Sequence, residues 1–303
     1  MTLVDVEGRE LKLSNLDKVL YPATGFTKGE VIDYYARIAP VMLPHLRGRP
    51  ITLKRYPNGV DAQFFYEKNC PSHRPEWMRT LDMEARGWNT QAPKGTIIQY
   101  CLLDEAAALV WTANLAALEL HPGLATEDDV TRPTLVVFDL DPGPPADVVD
   151  CAEVALWIRG LFEELGLQCV IKTSGSKGLQ LYLPLNTPAD FEGTSAFSQA
   201  VAQLLEKRHP DRVVSVQNKE LRKGKVLVDW YQNTSFKTTV AVYSLRARER
   251  PTVSTPLTWD EVETMASGTR MAFEAGDVLA RVQEHGDLFA PVLEVEQELP
   301  RLG

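Results

Sequence analysis

Residues 135–230 carry strand-like and helix-like hydrophobic patterns in a fixed order, and that order restricts the topology more than any other feature of the chain. Residues 135–140 (LVVFDL) form a short apolar, β-branched run typical of a buried strand. Residues 146–165 follow helical spacing and stop at Gly166. Two further strand patterns, 168–173 and 179–183, flank a Gly/Ser turn; a helical stretch, 194–208, and a last strand, 225–230, complete the series. The sequence β-α-β-β-α-β is the ferredoxin-like, or RNA-recognition-like, unit. In its common form the first and fourth strands are neighbours, so side chains on 135–141 face those on 225–230.

The segment before it has a mixed character. Residues 11–25 read as a strand, a short helical turn and a Pro/Gly stop. Residues 27–46 read as a helix: Thr27 can cap it, Glu30 follows three positions later, and Val31, Tyr34, Tyr35, Ile38 and Val41 keep helical spacing. Strands are expected over 51–55 and 63–67, joined through the turn Pro57-Asn58-Gly59, and a helix over 102–120. The acidic, Pro-bounded stretch 122–134 is the best internal boundary. The expected fold class is α/β (α+β): an N-terminal α/β part (1–133), a catalytic ferredoxin-like part (134–250) and acidic tail helices (251–303), together one compact structural unit.

With 303 residues the chain can bury about 75% of its extended surface and needs no staple. Its 44% hydrophobic and 24% charged residues exclude collagen, coiled coil and disordered chains. No stretch approaches the ~20 apolar residues of a membrane span, and residues 1–10 carry no apolar signal core, which excludes a membrane protein. Cys70, Cys101, Cys151 and Cys169 are far apart and form no CxxC pair, which predicts neither a disulfide framework nor a zinc knuckle and fits a reducing cytoplasm, the expected location. The spacing Cys70-x-x-His73 has no second pair and reads as structural. A net charge of −9 argues against a polyanion partner. Yet residues 259–303 hold ten acids against three arginines, whereas 41–60 holds Arg47, Arg49, Lys54 and Arg55 with no acid, and 217–250 holds eight Lys/Arg against three acids. Local basic stripes of this kind suit either a polyanion or a solvated face.

The chemistry is concentrated in the string LVVFDLDPGPP. Alternation on a strand places Asp139 and Asp141 on one face, about 7 Å apart. Asp229, in VLVDWYQ on the fourth strand, faces them. Three carboxylates on adjacent strands repel one another and call for divalent cations, as in a two-metal phosphoryl-transfer site. A lone DxD is also compatible with a turn or cap, a haloacid-dehalogenase-type phosphatase or a sugar-nucleotide transferase; the phosphatase motif normally continues to Thr, whereas here it continues to Pro142-Gly143-Pro144. The loop Thr173-Ser174-Gly175-Ser176-Lys177-Gly178 offers backbone amides, hydroxyls and a cation to an anion without being a Walker A loop. Lys237, Thr238, Thr239 and Arg246 follow on a segment able to bring further cations to a metal-bound triphosphate.

DLDPG, SGSKGL, VDWYQN and the opening NLDKVLYPATG, together with KRYPNGVDAQFFYEK and YSLRAR, resemble the polymerase domain of bacterial ligase D, within the archaeo-eukaryotic primase superfamily. The resemblance covers nearly the whole chain. It implies a primase-polymerase fold and a DNA-dependent nucleotidyltransferase that adds nucleotides, preferably ribonucleotides, at gaps and double-strand-break ends in non-homologous end joining.

By that resemblance Asp139, Asp141 and Asp229 hold two Mn²⁺ or Mg²⁺ ions, with His121 near the metals and the primer end. Ser174, Lys177, Gln180 and Arg246 hold the triphosphate of an NTP or dNTP, and Gln232 lines the same site. Phe64 or Phe65 stacks on the base beside Lys54. Arg222, in the basic loop 219–225, engages the DNA end, and Asn15, Lys18 and Lys28 grip a 5′-phosphate. Gln180 departs from the family pattern SGSKGLH: a glutamine can hydrogen-bond a triphosphate but never carries charge. No Lys-x-Asp-Gly ligase motif and no HExxH-like nuclease cluster is present, so Ku and a DNA ligase, in the same polypeptide or in trans, are the implied partners, on nucleoid DNA. A DNA-end-bridging module with little catalysis and a de novo primase are the alternatives.

Overall fold

The computed structural model describes residues 1–85, 93 and 95–300. They form two compact units whose segments interleave along the chain. The first contains Met1–Asp128, Thr238–Ser254 and Phe273–Gly286; the second contains Asp129–Lys237, Thr255–Ala272 and the chain from Asp287 onward.

The first unit starts with an antiparallel hairpin, β1 (Thr2–Val6) and β2 (Arg9–Leu13), and a short pair, β3 (Val19–Tyr21) and β4 (Phe26–Thr27). Thr27 then caps α1 (Lys28–Leu46) through the expected reciprocal capping box with Glu30. The apolar face of α1 (Val31, Tyr34, Tyr35, Ile38 and Met42) is buried. The two tyrosine hydroxyls on it are satisfied by carbonyls, Tyr34 by Tyr243 at 2.8 Å and Tyr35 by Leu118 at 2.7 Å. The sheet of this unit comprises β5 (Ile51–Arg55), β6 (Phe65–Glu67), β7 (Thr80–Glu84) and β8 (Ile97–Cys101) in the order β6-β5-β8-β7.

The expected helix over 102–120 is corrected. Helix α2 is only Ala106–Asn114, and a strand, β9 (Ala117–Pro122), follows and pairs antiparallel with β5. Ala116 turns the chain with a φ of 57°, in the left-handed region. Nearly every apolar residue of the run is buried, so the pattern lacks the one-sided stripe that separates a helix from a buried strand.

The cysteine reading is corrected as well. Cys70 and Cys101 form a disulfide with a Cα–Cα distance of 5.0 Å, while Cys151 and Cys169 are free thiols. The Cys70 amide donates to the Gln99 carbonyl at 2.6 Å, which lays the chain beyond β6 beside the end of β8. Spacing along the sequence carries no trace of this tertiary adjacency. Closing a loop of 31 residues restricts the unfolded chain. We expect a thiol reductant to lower the unfolding free energy by about 3 kcal/mol, a difference that Cys70→Ser should remove in paired denaturant titrations.

The second unit is the expected β-α-β-β-α-β. It runs β10 (Leu135–Pro142), α3 (Val148–Glu164), β11 (Val170–Thr173), β12 (Leu179–Pro184), α4 (Phe191–Arg208), then β13 (Val213–Val214) and β14 (Val226–Asp229). The sheet order is β13-β14-β10-β12-β11-β15, with β15 spanning Pro256–Leu257. Within it the four repeat strands keep the ferredoxin order, and the first and fourth are neighbours. Helices α3 and α4 pack on one face of the sheet, where Phe138, Phe162 and Phe197 are fully or almost fully buried. Helix α5 (Trp259–Ala266) packs on α3; α6 (Ala275–His285) belongs to the first unit and α7 (Pro291–Glu294) to the second. No described helix is long and apolar enough to cross a membrane.

Candidate functional site

In the second unit the register of the sheet sets one row of polar side chains across four strands. Asp139 on β10 lies opposite Asp229 on β14 and, on its other side, opposite Gln180 on β12; Gln180 in turn lies opposite Lys172 on β11. Asp141 shares the face of Asp139 by strand alternation, whereas Leu140 between them is fully buried.

Burial, then the charges of Asp141 and Asp229, push the Asp139 carboxyl up to about 7, against the Gln180 hydrogen bond and the Lys172 charge that pull it down. Gln180 Nε2 donates to Asp139 Oδ1 at 3.1 Å, and Lys172 Nζ donates to Gln180 Oε1 at 2.5 Å. Asp229 Oδ1 accepts from the Tyr231 amide at 3.1 Å, and its Oδ2 accepts from Gln217 Nε2 at 2.8 Å and Gln232 Nε2 at 3.2 Å. With Asp229 turned to these amides, no three His, Cys, Asp or Glu side chains converge as a preformed metal cage among the described residues. The donor set nevertheless fits hard divalent cations. It offers oxygens only, on adjacent strands, and the Asp139 carboxyl, raised first by burial and then by its carboxylate neighbours, lacks the counter-charge a cation would supply.

Two loops border this row. In the turn after β11, Ser174 Oγ accepts from the amides of Ser176 at 3.3 Å and Gly178 at 3.2 Å, so Ser174 is buried as the brace of the loop while Lys177 is exposed. A Cβ on Gly178 would lie 1.9 Å from the Leu140 carbonyl oxygen, which makes glycine obligatory there. A Cβ on Gly143 would likewise meet the Arg222 carbonyl oxygen at 1.9 Å. The Gly143 amide donates to the Lys225 carbonyl at 2.8 Å, fastening the basic loop 219–225 to the chain leaving Asp141. Arg222 Nε is buried with no hydrogen-bond partner among the described residues.

The remaining predicted residues belong to the first unit. Strand β9 places Glu119 and His121 on one face, with Lys54 on β5 opposite Glu119. Glu119 is only 2% exposed and lies 3.3 Å from Lys54 Nζ, 2.9 Å from His121 Nε2 and 3.4 Å from Arg246 Nε. Burial alone would raise its pKa, but the His121 hydrogen bond and the charges of Arg246, His121 and Lys54 hold the carboxyl well below the usual range. Burial also lowers the pKa of His121, against the pull of Glu119. Sequence reading missed Glu119, although polar residues alternating with Leu118 and Leu120 are a strand signal.

Lys54 Nζ sits 4.4 Å over the Phe64 ring, and Phe64 stacks on Tyr56 with centroids 5.2 Å apart. Phe65 faces the other way, under Arg55. Both phenylalanines are 43% exposed, so neither is a core residue. The Lys54 side belongs to Phe64.

Asn15, Lys18 and Lys28 also come together. Asn15 adopts a φ of 54°; the Lys18 amide bonds the Asn15 carbonyl at 3.1 Å, and the Lys28 amide the Lys18 carbonyl at 2.8 Å. Lys28 Nζ donates to the Ser14 carbonyl at 2.6 Å and Lys18 Nζ to Asn58 Oδ1 at 2.9 Å. Burial, then the charges of Lys18 and Arg55, push Lys28 down to about 8. Arg55 thus joins the cluster unforeseen. The 5′-phosphate grip expected from the sequence predicts that affinity for a 5′-phosphorylated end, compared with a 5′-hydroxyl end by fluorescence anisotropy, falls as pH rises through about 8, and that Lys28→Met lacks this step. Lys28 binds fewer protons folded than unfolded between about 8 and 10.5, so its contribution to stability rises with pH across that window.

Residues 27–289 match the family model described as LigD, primase-polymerase domain. The "Multifunctional non-homologous end joining protein LigD" of Mycolicibacterium smegmatis is 45% identical over 284 residues, 93% of this chain. The "Bifunctional non-homologous end joining protein LigD" of Bacillus subtilis is 29% identical over 96% of it. The chain spans 36% of the length of the first and 45% of the second. The solved "Polymerase Domain from Mycobacterium tuberculosis Ligase D in complex with DNA" superposes with a TM-score of 0.86 at 41% identity, covering 95% of this chain and 99% of that one.

Proposed function

We propose that this chain, which belongs to the LigD primase-polymerase domain family, is a nucleotidyltransferase that extends a DNA 3′ end at gaps and double-strand breaks in non-homologous end joining. The observation that carries the reading is the pairing of Asp139 with Asp229 on adjacent strands, with Asp141 on the same face. Asp139, Asp141 and Asp229 are the residues that would hold two Mn²⁺ or Mg²⁺ ions. Such ions, when bound, favour ionisation of the primer 3′-hydroxyl and offset charge on the α-phosphate and departing pyrophosphate.

The other roles follow from what each side chain offers. Lys177 presents an exposed cation to the triphosphate beside the turn that Ser174 braces. Arg246 supplies a second cation, held in place by Glu119. Phe64 gives the base a π face that accepts any base, with Lys54 above it. Gln232 orients Asp229, and His121, bound to Glu119, serves the primer end. Arg222 meets the DNA end, and Asn15, Lys18 and Lys28 grip a 5′-phosphate as concentrated positive charge. Ribonucleotides are the preferred substrates, and Ku and a DNA ligase are the partners on nucleoid DNA.

A DNA-end-bridging module with weak catalysis is the second reading, favoured by the amide groups that cap Asp139 and Asp229. Extension of a 5′-phosphorylated gapped primer–template with Mn²⁺ and separate NTP and dNTP pools separates the two. Templated addition, faster with NTPs, supports the polymerase; end binding without any extension replaces it with the bridging module.

A further inference from the structure

Lys172 is the only lysine among the fully buried large side chains of the described residues, on a strand otherwise built of apolar residues and Thr173. A buried ammonium requires acceptors. It donates to Gln180 Oε1 at 2.5 Å and lies 5.3 Å from the Tyr182 ring centroid; Tyr182 Oη is 3.5 Å from the same glutamine oxygen. Gln180 is 3% exposed, which leaves its amide little freedom to turn outward toward a ligand.

The chemistry of the partners dictates which way that amide points. An ammonium only donates and an ionised carboxylate only accepts. Between Lys172 and Asp139 the glutamine must therefore turn its oxygen to the lysine and its NH₂ to the carboxylate, as observed. The reverse orientation would set oxygen against carboxylate and NH₂ against ammonium.

We infer that Lys172 is a positioning residue of the catalytic centre: by fixing the Gln180 amide it pins the Asp139 carboxylate through Oδ1 and presets that ligand for a divalent cation. This rests on the two-metal reading and extends it. It also gives Gln180 a task different from the triphosphate contact that the family resemblance implies for its position. Outer groups that orient a metal ligand typically change metal affinity about 10–100-fold.

The test is Mn²⁺ binding by the protein without nucleotide or DNA, read from the electron paramagnetic resonance signal of free Mn²⁺, on Lys172→Met, Gln180→Leu and the double variant. Each single change should weaken Mn²⁺ binding about tenfold or more. The double variant should lose clearly less than the sum of the two single losses, because both changes cut the same Lys172–Gln180–Asp139 link. A merely structural lysine would lower the melting temperature without this non-additive loss of metal affinity. Should Lys172→Met fail to fold, Gln180→Leu alone decides, since it severs the same link. Wild-type affinity in Gln180→Leu, or losses that simply add in the double variant, overturns the inference. Asp139→Asn separates this from the function itself. If the unaltered protein binds no Mn²⁺, or binds it equally well without the Asp139 charge, the two-metal reading fails and takes the inference with it.

Discussion

We expect Asp139→Asn to abolish nucleotide addition and to raise the melting temperature of the protein measured without added metal. The two effects share one cause. In the folded protein the Asp139 carboxyl is pushed up to about 7 by burial and by facing Asp141 and Asp229. Such a group adds stability while it is protonated, and that stability is lost as pH rises from the unfolded value of 3.8 through about 7. Asparagine keeps the shape and removes the charge, so at pH 8 the variant escapes the repulsion. A gain of 1 kcal/mol moves the midpoint of a chain this large by about 2–4 °C. The same change removes a ligand from a centre that must offset several kcal/mol of developing charge, so extension should fall at least about a thousandfold. Primer extension and scanning calorimetry at pH 5 and pH 8 check both parts. The stability gain should be largest at pH 8, clearly smaller at pH 5, and vanish only as the pH falls below the unfolded value of 3.8. A variant that extends at near wild-type rate would remove Asp139 from the metal site.

The catalytic sheet was legible because strand alternation and the order of elements are local properties. DLD at the end of an apolar strand and VDW on the fourth strand were enough to bring Asp139, Asp141 and Asp229 to one face. What escaped depends on partners remote in sequence. Glu119 is a carboxylate whose three partners come from residues 54, 121 and 246, and the run holding it is too uniformly apolar to separate helix from strand. Lys172 lies inside the strand pattern 168–173 and was not singled out, yet a lysine inside so apolar a run is itself a signal that a buried acceptor must exist. The Cys70–Cys101 pair shows the same limit. Gln180 could be flagged as a departure from the family pattern, but only the cross-strand register shows that it faces Asp139 on one side and Lys172 on the other.

Glu119→Gln should be the most destabilising of the single changes considered for the first unit. The glutamine fills the same volume but leaves Lys54 and Arg246, 13% and 17% exposed, without their shared counter-charge. Breaking a buried ion pair by removing one partner costs about 3–5 kcal/mol, because the remaining charge is desolvated and uncompensated. The pH profile distinguishes this from a packing defect. Burial works against ionisation of Glu119, but the His121 hydrogen bond and the three nearby cations win and hold the folded pKa below the ordinary value of 4.5. A carboxyl depressed in the folded state contributes stability that is present above 4.5 and is lost as pH falls toward the folded value. The wild-type protein should therefore lose stability steeply on acidification below 4.5, and Glu119→Gln should be less stable at pH 7 with a flatter acid limb. Guanidinium titrations of both proteins at pH 7 and pH 4 read the difference directly. Parallel acid limbs would mean that Glu119 is held by packing alone, and that Lys54 keeps its place over the Phe64 face without it.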